Sequence, residues 1–325
     1  MTRSARRHHL AFAVLALTAL TVAPAWAAGK QTVGIAGAVY AIEAARAQYE
    51  SAAAVLMERG IAVKYIDAQQ DINKQVAAVD QFVDEKVDAI IVQVVGDPNA
   101  LLRPFQRAEK AGIKVFSLGP TPGFPGTLIE YDDGADNLGR ASGEWMCKAT
   151  GGEGDIAMIE AIEIPVLLPR WNVFLETIKA KCPKLKVVAI ERAVPDDAAT
   201  ARPIAENLLT RFPNLKAIWA MGDGPALGAG LAAKAAGRKI IVTGINGEVV
   251  GIDGVKQGVI NATWDMQPTD IGSQLGAKVA DILQGKAPVP AKTEVFDMGG
   301  QVEWTTKNAG DWKPYDKRVK YPGLQ

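Results

Sequence analysis

The amino-acid sequence predicts an α/β protein of two similar lobes, each a doubly wound parallel β-sheet covered by helices on both faces. Apolar, strand-like runs alternate with segments whose apolar residues lie three and four positions apart, which is the pattern of repeated βαβ units. Some runs are continuously apolar, as residues 89–92 are, and this is typical of strands buried on both faces. The same order of elements also occurs in both halves of the chain, so two lobes of one topology are expected.

The predicted strands follow one another along the chain, with helices in the segments between them. In order, the strands are expected at residues 32–36, 62–66, 89–94, 114–118, 156–159, 187–190, 217–220 and 240–244. Ala53, Ala54, Leu56 and Met57 illustrate the helical spacing that separates the first two strands.

The internal repeat consists of a strand, a Gly-Asp loop, a helix and a second strand. In the first half, the strand at 87–92 leads through a loop at 96–97 to a helix that ends at Gly112, and then to the strand at 113–118. In the second half, the strand at 215–219 leads through 222–224 to a helix that ends at Gly237, and then to the strand at 239–244. Ligands of such open sheets bind outside the carboxyl ends of the strands, so the expected site is the cleft between the lobes.

The amino terminus is typical of a cleaved secretory signal at residues 1–27. Arg3, Arg6 and Arg7 precede an apolar stretch at 10–22, and residues 25–27 give a small-x-small cleavage pattern. A retained membrane anchor is the less favoured alternative, because the stretch is shorter than the roughly 20 residues of a spanning helix. We expect the mature chain to begin near Ala28 and to be a free periplasmic protein of a Gram-negative cell.

Composition excludes several classes of function. His8 and His9 are the only histidines, and both lie in the signal, so His-dependent hydrolases and His-ligated zinc sites are excluded for the mature chain. Its 33 basic against 36 acidic residues make nucleic acid and anionic membranes poor partners. The first loop carries Gly34 and Gly37 without the middle glycine of a dinucleotide-binding turn, which disfavours an NAD-dependent enzyme. No metal or cofactor is expected.

Cys147 and Cys182 are the only cysteines. A disulfide between them is favoured in an oxidising compartment, because each ends a predicted helix and the two helices could flank one face of a sheet. The alternative, two buried free thiols, stays open at this point, since the sequence does not show whether the sulfur atoms meet.

Several motifs in the second half are shared with one known family. They are DGPALGA at 223–229, VTGING at 242–247, ATWDMQP at 262–268 and DIG at 270–272, with DD at 132–133, NLG at 137–139 and the pair Arg170 and Phe174 as further signatures. Over about residues 31–300 the chain thereby resembles the periplasmic sugar-binding proteins of ABC transporters, such as ribose-binding and galactose-binding proteins. These proteins share their core with the effector domains of LacI-type repressors.

The resemblance implies an organisation and a function. The N-terminal lobe would comprise residues 28–132 and 267–297, and the C-terminal lobe residues 133–266 with a tail at 298–325. Three hinge crossings would let the lobes close on a small ligand, and the protein, monomeric and not an enzyme, would deliver that ligand to a membrane permease. A binding protein for a chemoreceptor or sensor kinase is the alternative that the sequence does not separate from uptake. A repressor is excluded, because the signal occupies the place of its DNA-binding region.

The positions that would bind a sugar depart from the family pattern. The aromatic clamp of the first loop is reduced to Tyr40, which we favour over Arg46 as a contact, and most of the charged hydrogen-bonding positions are replaced. The departing positions are Gly119, Leu168, Gly222, Asn246 and the pair Met266 and Gln267. Losing several charged hydrogen bonds makes a plain aldopyranose a poor ligand, so a less polar polyol, a deoxy or derivatised sugar, or a small non-sugar compound is expected.

The candidate ligand-binding residues combine these positions with polar groups beside the predicted cleft. They are Tyr40, Gly119, Glu160, Leu168, Arg170, Gly222, Asp223, Asn246, Trp264, Asp265, Met266 and Gln267.

Each candidate has a structural alternative. Asn246 could stabilise its own turn, and Asp223 is expected mainly to cap the helix that begins near residue 225. Trp264 is more typical of a buried core, and Asp265 could fix the hinge. The other charged candidates divide in the same way: Arg170 could pair with a carboxylate, and Glu160, like Glu163, could lie in a solvated loop.

Overall fold

The computed structural model describes residues 30–119, 127–132, 134–160, 167–297 and 300–324. The predicted signal segment, Asp133 and Glu163 lie outside these residues. No helix among the described residues combines the length and the apolar character that crossing a membrane requires.

Strands and helices alternate along the described chain. The strands are β1 Thr32–Gly37, β2 Ala62–Asp67, β3 Ala89–Val92, β4 Lys114–Leu118, β5 Thr127–Asp132, β6 Glu153–Glu160, β7 Lys184–Arg192, β8 Leu215–Ala220, β9 Ile241–Thr243, β10 Thr263–Asp265, β11 Glu294–Asp297 and β12 Val302–Trp304. The helices are α1 Glu43–Glu58, α2 Ile72–Asp84, α3 Leu102–Lys110, α4 Ala135–Thr150, α5 Leu168–Lys181, α6 Ala198–Arg211, α7 Asp223–Ala235, α8 Val249–Lys256 and α9 Pro268–Leu283. Short 3-10 turns occur at Pro98–Leu101, Ala309–Asp311 and Tyr315–Lys317.

The first lobe is built on a six-stranded parallel sheet in the order β11-β5-β4-β3-β1-β2. Side chains of alternate β3 residues lie on opposite faces of this sheet. Ala89 and Ile91 pack in the cluster that contains α1 and α9, whereas Ile90 and Val92 pack against α2 and α3. Because both faces are covered, the strand is continuously apolar rather than alternating.

The second lobe repeats this architecture with a four-stranded parallel sheet in the order β7-β6-β8-β9. Met158 packs on the side of α4 and α5, and its neighbour Ile159 packs on the side of α6 and α7. Single bridges join the β9 region to β10, which pairs antiparallel with β12. The predicted fold class, two similar doubly wound parallel-sheet lobes, is confirmed.

Close helix packing positions the cleft side of each lobe. A Cβ atom on Gly276 of α9 would lie 2.5 Å from the carbonyl oxygen of Ala52 in α1. In the second lobe, a Cβ atom on Gly139 of α4 would lie 2.5 Å from the carbonyl oxygen of Arg170 in α5. Glycine therefore lets each pair of helices approach backbone to backbone, and in the second lobe this approach places Arg170 under the cleft.

A disulfide also ties α4 to α5. Cys147 lies in the last turn of α4, and Cys182 follows the last residue of α5. The two residues are joined with a Cα–Cα distance of 5.8 Å, in the usual range for a disulfide. The helix that carries Arg170 is thus covalently fixed to its neighbour.

Every predicted strand corresponds to a strand of the structure, namely β1–β4 and β6–β9. The sequence missed β5, β10, β11 and β12, which are short or lie at or near the edge of a sheet. Strands of only a few residues, or strands paired after a long excursion of the chain, carry no continuous apolar run to identify them.

Candidate functional site

A cavity with a volume of about 40 Å³ lies between the lobes. Most of its lining residues follow the carboxyl ends of parallel strands, where open α/β sheets bind ligands. From the first lobe come Val39, Ile42, Ala44, Ala45, Gln48 and Gln93, and from the second lobe and the crossing come Leu167, Arg170, Asp196, Met221, Asn246 and Met266.

The first-lobe wall is mainly apolar, and its polar groups hold one another. The buried Tyr49 hydroxyl donates to Oε1 of Gln93 and accepts from the Ala38 amide at 2.9 Å. Nε2 of Gln93 donates to Oε1 of Gln48 at 3.3 Å, and Gln75 donates to the Gln93 carbonyl at 2.7 Å. Burial raises the pKa of Tyr49, so the hydroxyl stays neutral and able to donate.

The second-lobe wall carries charge. Arg170 is 1% exposed, and its Nη1 donates to Oδ1 of Asn246 at 2.8 Å. Its Nη2 lies 3.2 Å from the sulfur of Met266. A guanidinium with few water contacts is therefore held by α5 against the loop that follows β9.

Asn246 has an unusual backbone conformation, with φ of 120°. Its amide donates to the Trp264 carbonyl at 2.9 Å, and its carbonyl accepts from the Tyr315 hydroxyl at 2.6 Å. Strained, non-glycine conformations persist where surrounding contacts enforce them, and such positions are concentrated at functional sites.

Asp196 lies in the loop between β7 and α6. Its Oδ1 is buried, and it has no hydrogen-bond partner among the described residues. Burial raises the pKa of the Asp196 carboxyl to about 7, and the nearby Arg170 guanidinium offsets part of that rise. A Cβ atom on Gly222 would lie 2.9 Å from the other carboxylate oxygen, so glycine at 222 leaves room for this side chain.

Two carboxylates connect the lobes reciprocally beside the cavity. Oε1 of Glu248, before α8, accepts from the Ala44 amide in the first turn of α1 at 2.9 Å. Oε2 of Glu43, in α1, accepts from the Val249 amide at the start of α8 at 2.9 Å. Each side chain thus satisfies an amide at the amino terminus of a helix of the opposite lobe.

These interlobe carboxyl groups are perturbed by their surroundings. Burial raises the pKa of Glu43. Burial, together with repulsion from the Asp223 carboxylate, raises the pKa of Glu248 to about 8.

The C-terminal tail first packs on the second lobe. Arg318 pairs with the buried Asp265, and its guanidinium carbon lies 4.7 Å from the centre of the Tyr315 ring. Asp265 also accepts from the Gln267 amide at 2.7 Å. The carboxylate of Asp265 is therefore engaged at the crossing between the lobes.

The last described residues then contact the first lobe. The amides of Gly323 and Leu324 both donate to the Glu50 carboxylate at 3.0 Å. The Tyr40 hydroxyl donates to the same carboxylate, and burial together with this hydrogen bond raises the pKa of Tyr40 to about 12. The tail thus spans from one lobe to the other.

The structure brings only part of the predicted site together. Arg170, Asn246 and Met266 line the cavity, and Gly222 adjoins it through Asp196. Tyr40 lies in a groove against the tail instead of in the cavity lining.

Four other candidates are not among the lining residues of the cavity. Glu160 pairs with Arg192 on the protein surface, and Leu168 is 44% exposed. The carbonyl of Gly119 accepts from the hydroxyl of Ser117 at 2.7 Å. Gln267 precedes α9 in a left-handed conformation with φ of 55°.

Trp264 and Asp223 are interior residues. Trp264 is 1% exposed and packs edge-on against Trp145. The expectation that Asp223 caps a helix near 225 is wrong, because α7 begins at Asp223 itself. Its carboxylate turns inward to accept from the Thr263 hydroxyl at 2.6 Å and the Glu248 amide at 2.7 Å.

Sequence reasoning missed Asp196, Gln48 and Gln93. Gln93 had a usable signal, since a polar residue directly follows the apolar strand β3 at its carboxyl end. Gln48 stands among alanines in α1, where one buried amide looks like an exposed helix position. Asp196 belongs to an Asp-Asp pair before α6, which reads as a helix cap, and Asp197 does serve that role.

Comparison with known proteins identifies the family and several relatives of this chain. A family model for the periplasmic binding protein domain matches residues 33–287. The ribose import binding protein of Bacillus subtilis is 27% identical over 231 residues, covering 70% of this chain and 74% of that protein. The ribose import binding protein of Haemophilus influenzae is 29% identical over 251 residues, covering 74% of this chain and 82% of that protein.

A solved structure gives the same result. The periplasmic solute-binding protein of an ABC transporter from Actinobacillus succinogenes, with bound D-allose, matches with a TM-score of 0.75. It is 25% identical, and the match covers 87% of this chain and 100% of that chain. All three relatives are binding proteins, and because the family model spans most of its length, this chain belongs to the periplasmic binding protein domain family.

Proposed function

We propose that this chain is the periplasmic solute-binding component of an ABC importer, holding a small carbohydrate-like or polyol ligand in the interlobe cavity. The observation that carries the proposal is the cavity itself. Residues from both lobes meet there at the carboxyl ends of parallel strands, with Arg170, Asp196 and Asn246 converging on one side. A concave site with a few convergent polar groups is the usual form of a small-molecule site.

The relatives support the ligand class. Two are ribose import binding proteins, and the solved structure holds D-allose. Hydroxyl groups both donate and accept hydrogen bonds, so they match a wall that offers guanidinium and amide donors beside a carboxylate acceptor.

A thermal-shift screen of the mature protein tests this function. The panel comprises pentoses, hexoses, their deoxy derivatives and polyols, with amino acids as the unrelated class. A ligand at about 100 times its dissociation constant should stabilise the protein by roughly 2.7 kcal/mol. A folded, ligand-free protein whose melting no sugar or polyol changes would contradict the proposal.

A matched pair of variants locates the binding. Arg170→Lys loses the planar fork that reaches Asn246, and it should reduce the ligand-induced shift. Arg103→Lys makes the same replacement at an exposed position of α3 and should leave the shift unchanged. Equal shifts in the two variants would show that the ligand binds outside the cavity.

Export and delivery form the second half of the proposal. Secreted protein should begin near Ala28 when its amino terminus is sequenced from a periplasmic fraction. Liganded protein should stimulate ATP hydrolysis by its reconstituted permease and ATPase more than ligand-free protein does. Equal stimulation by both forms would favour a sensing role over uptake.

A further inference from the structure

The carboxylate of Asp196 differs from the other buried carboxylates around the cleft. Asp223 accepts from Thr263 and from the Glu248 amide, and Glu248 accepts from the Ala44 amide. Asp196 lines the cavity, and its Oδ1 is buried without a hydrogen-bond partner among the described residues. A buried acceptor without a partner is costly, and in a binding cleft the missing donor belongs to the ligand.

The opposite wall supplies a complementary group. Oε1 of Gln48 accepts from Gln93, and Nε2 of the same side chain, which lines the cavity, is a hydrogen-bond donor. The first lobe therefore offers a donor where the second lobe offers an acceptor. One hydroxyl group can satisfy both, because it donates and accepts, whereas an ammonium group only donates.

The size and lining of the cavity restrict the ligand further. A volume of about 40 Å³ holds about three water molecules at roughly 10–15 Å³ each. The described lining residues include no aromatic ring, so none of them offers a flat surface on which a sugar ring could stack. The aliphatic side chains of Val39, Ile42 and Ala45 line the first-lobe side instead.

We propose that the ligand is a short-chain polyol of three or four carbons, one hydroxyl of which donates to Asp196 and accepts from Gln48. This proposal rests on the proposed binding function and names its ligand class. The carbon chain lies along the aliphatic first-lobe wall, and its hydroxyls face the charged second-lobe wall. A cavity of this volume favours an acyclic polyol over a ring sugar, and none of its described lining residues offers a stacking surface.

Isothermal titration calorimetry of the mature protein with glycerol, erythritol, D-ribose and D-glucose tests the size limit. Glycerol or erythritol should bind at least about 10-fold more tightly than either ring sugar. Tighter binding of D-ribose or D-glucose would overturn the polyol assignment while leaving the proposed sugar-binding function intact. Failure of every sugar and polyol to bind would overturn both.

Two neighbouring aspartates provide matched variants for the contact. Asp196→Asn should weaken polyol binding by about 10- to 100-fold, because a charge-assisted hydrogen bond is lost. Asp197→Asn makes the same change at the exposed cap of α6, where Asn is an equally good cap, and should alter binding by less than about twofold. Equal effects of the two variants would overturn the role of Asp196.

Two further measurements cover the remaining outcomes. If Asp196→Asn does not fold, Gln48→Glu carries the test, since it keeps an acceptor for Gln93 but removes the donor to the ligand, and it should weaken polyol binding. Serinol, which replaces the central hydroxyl of glycerol with an amine, should bind more weakly than glycerol. Tighter binding of serinol, lost in Asp196→Asn, would overturn the polyol in favour of a cationic ligand.

Discussion

The two walls of the cleft are built on the same architecture but differ in chemistry. The first-lobe wall is aliphatic, and its hydrogen-bonding groups are neutral amides and a phenol that hold one another. The second-lobe wall contains a buried guanidinium, the strained Asn246 and the unpartnered oxygen of Asp196. The two lobes therefore share one topology but present different surfaces to the cleft.

In the binding function that we propose, this difference would separate two tasks of the cleft. Charged groups that are already buried in a preformed network lose little hydration when a ligand binds. The second lobe can therefore bind and orient the polar edge of the ligand first. The neutral first-lobe wall would then contribute shape and exclude water from the ligand. Glu43 and Glu248 join the two walls, since each carboxylate satisfies an amide of the opposite lobe.

The largest expected effect comes from removing charge from the second-lobe wall. Arg170→Met deletes the donor to Asn246 and the cation that offsets burial of Asp196. Removing one partner from a buried charged cluster costs about 3 kcal/mol, and urea denaturation should show a loss of that size in the free energy of unfolding. Arg103→Met, on the exposed face of α3, should change it by less than about 0.5 kcal/mol. Similar losses in both would show that the buried cluster is not stabilising.

A smaller effect is expected from the neutral first-lobe wall. Tyr49→Phe leaves the Ala38 amide and Oε1 of Gln93 without their common partner, which should lower the free energy of unfolding by about 2 kcal/mol. The neighbouring Tyr65 is a close control, since its hydroxyl is buried and has no partner among the described residues. Tyr65→Phe should be neutral or stabilising, and a greater loss there than in Tyr49→Phe would refute the role given to the network.

The sequence predicted the central strands of both sheets for a physical reason that also explains its failures. The β3 strand is buried on both faces, so nearly every residue had to be apolar, and residues 89–92 could be identified without a structure. The β10 strand at Thr263–Asp265 pairs with β12, nearly 40 residues later, and β11 joins a sheet formed far earlier in the chain. Such pairings depend on tertiary contacts and leave only a weak local pattern.

Site residues were predictable from the sequence where following the end of a strand was enough to place them at the cavity. Asn246 and Met266 follow strands of the second lobe, and their place at the cavity agrees with their place in the sequence. Asp223 follows a strand in the same way, yet it turns away because Thr263 and the Glu248 amide offer it partners inside the lobe. The choice between these directions depends on side chains up to 40 residues away, which the local sequence does not reveal.

The carboxyl group of Glu248, which joins the two walls, makes stability depend on pH. The pKa of Glu248 is raised to about 8 by burial and by Asp223, with Asp196 and Glu43 acting in the same direction. The folded protein therefore holds a proton on Glu248 that the unfolded chain loses above about pH 4.3, so this group makes stability fall as pH rises from about 5 to 8. Glu248→Gln keeps an acceptor for the Ala44 amide and removes the proton, so it should flatten that fall by up to about 1.4 kcal/mol per pH unit.

Unfolding by urea at several pH values between 5 and 8 measures this slope. Glu109→Gln, at an exposed position of α3, serves as the control and should follow the unchanged protein across the range. A slope in Glu248→Gln as steep as that of the control would mean that the interlobe carboxylate is ionised throughout, and that the contact between the walls rests on charge.

The smallest effect is expected from the tail, which contacts both lobes outside the cleft. Deleting residues 321–325 removes the two amides that donate to Glu50 but also releases the entropy of ordering that segment, so stability should change by less than about 1 kcal/mol. The interlobe contacts should respond more than stability does. Amide hydrogen exchange at Ala44 and Val249, whose amides donate across the lobes, should accelerate, whereas deletion of Gln325 alone should leave both rates unchanged. Unchanged exchange after the longer deletion would show that the reciprocal carboxylates hold the walls together without the tail.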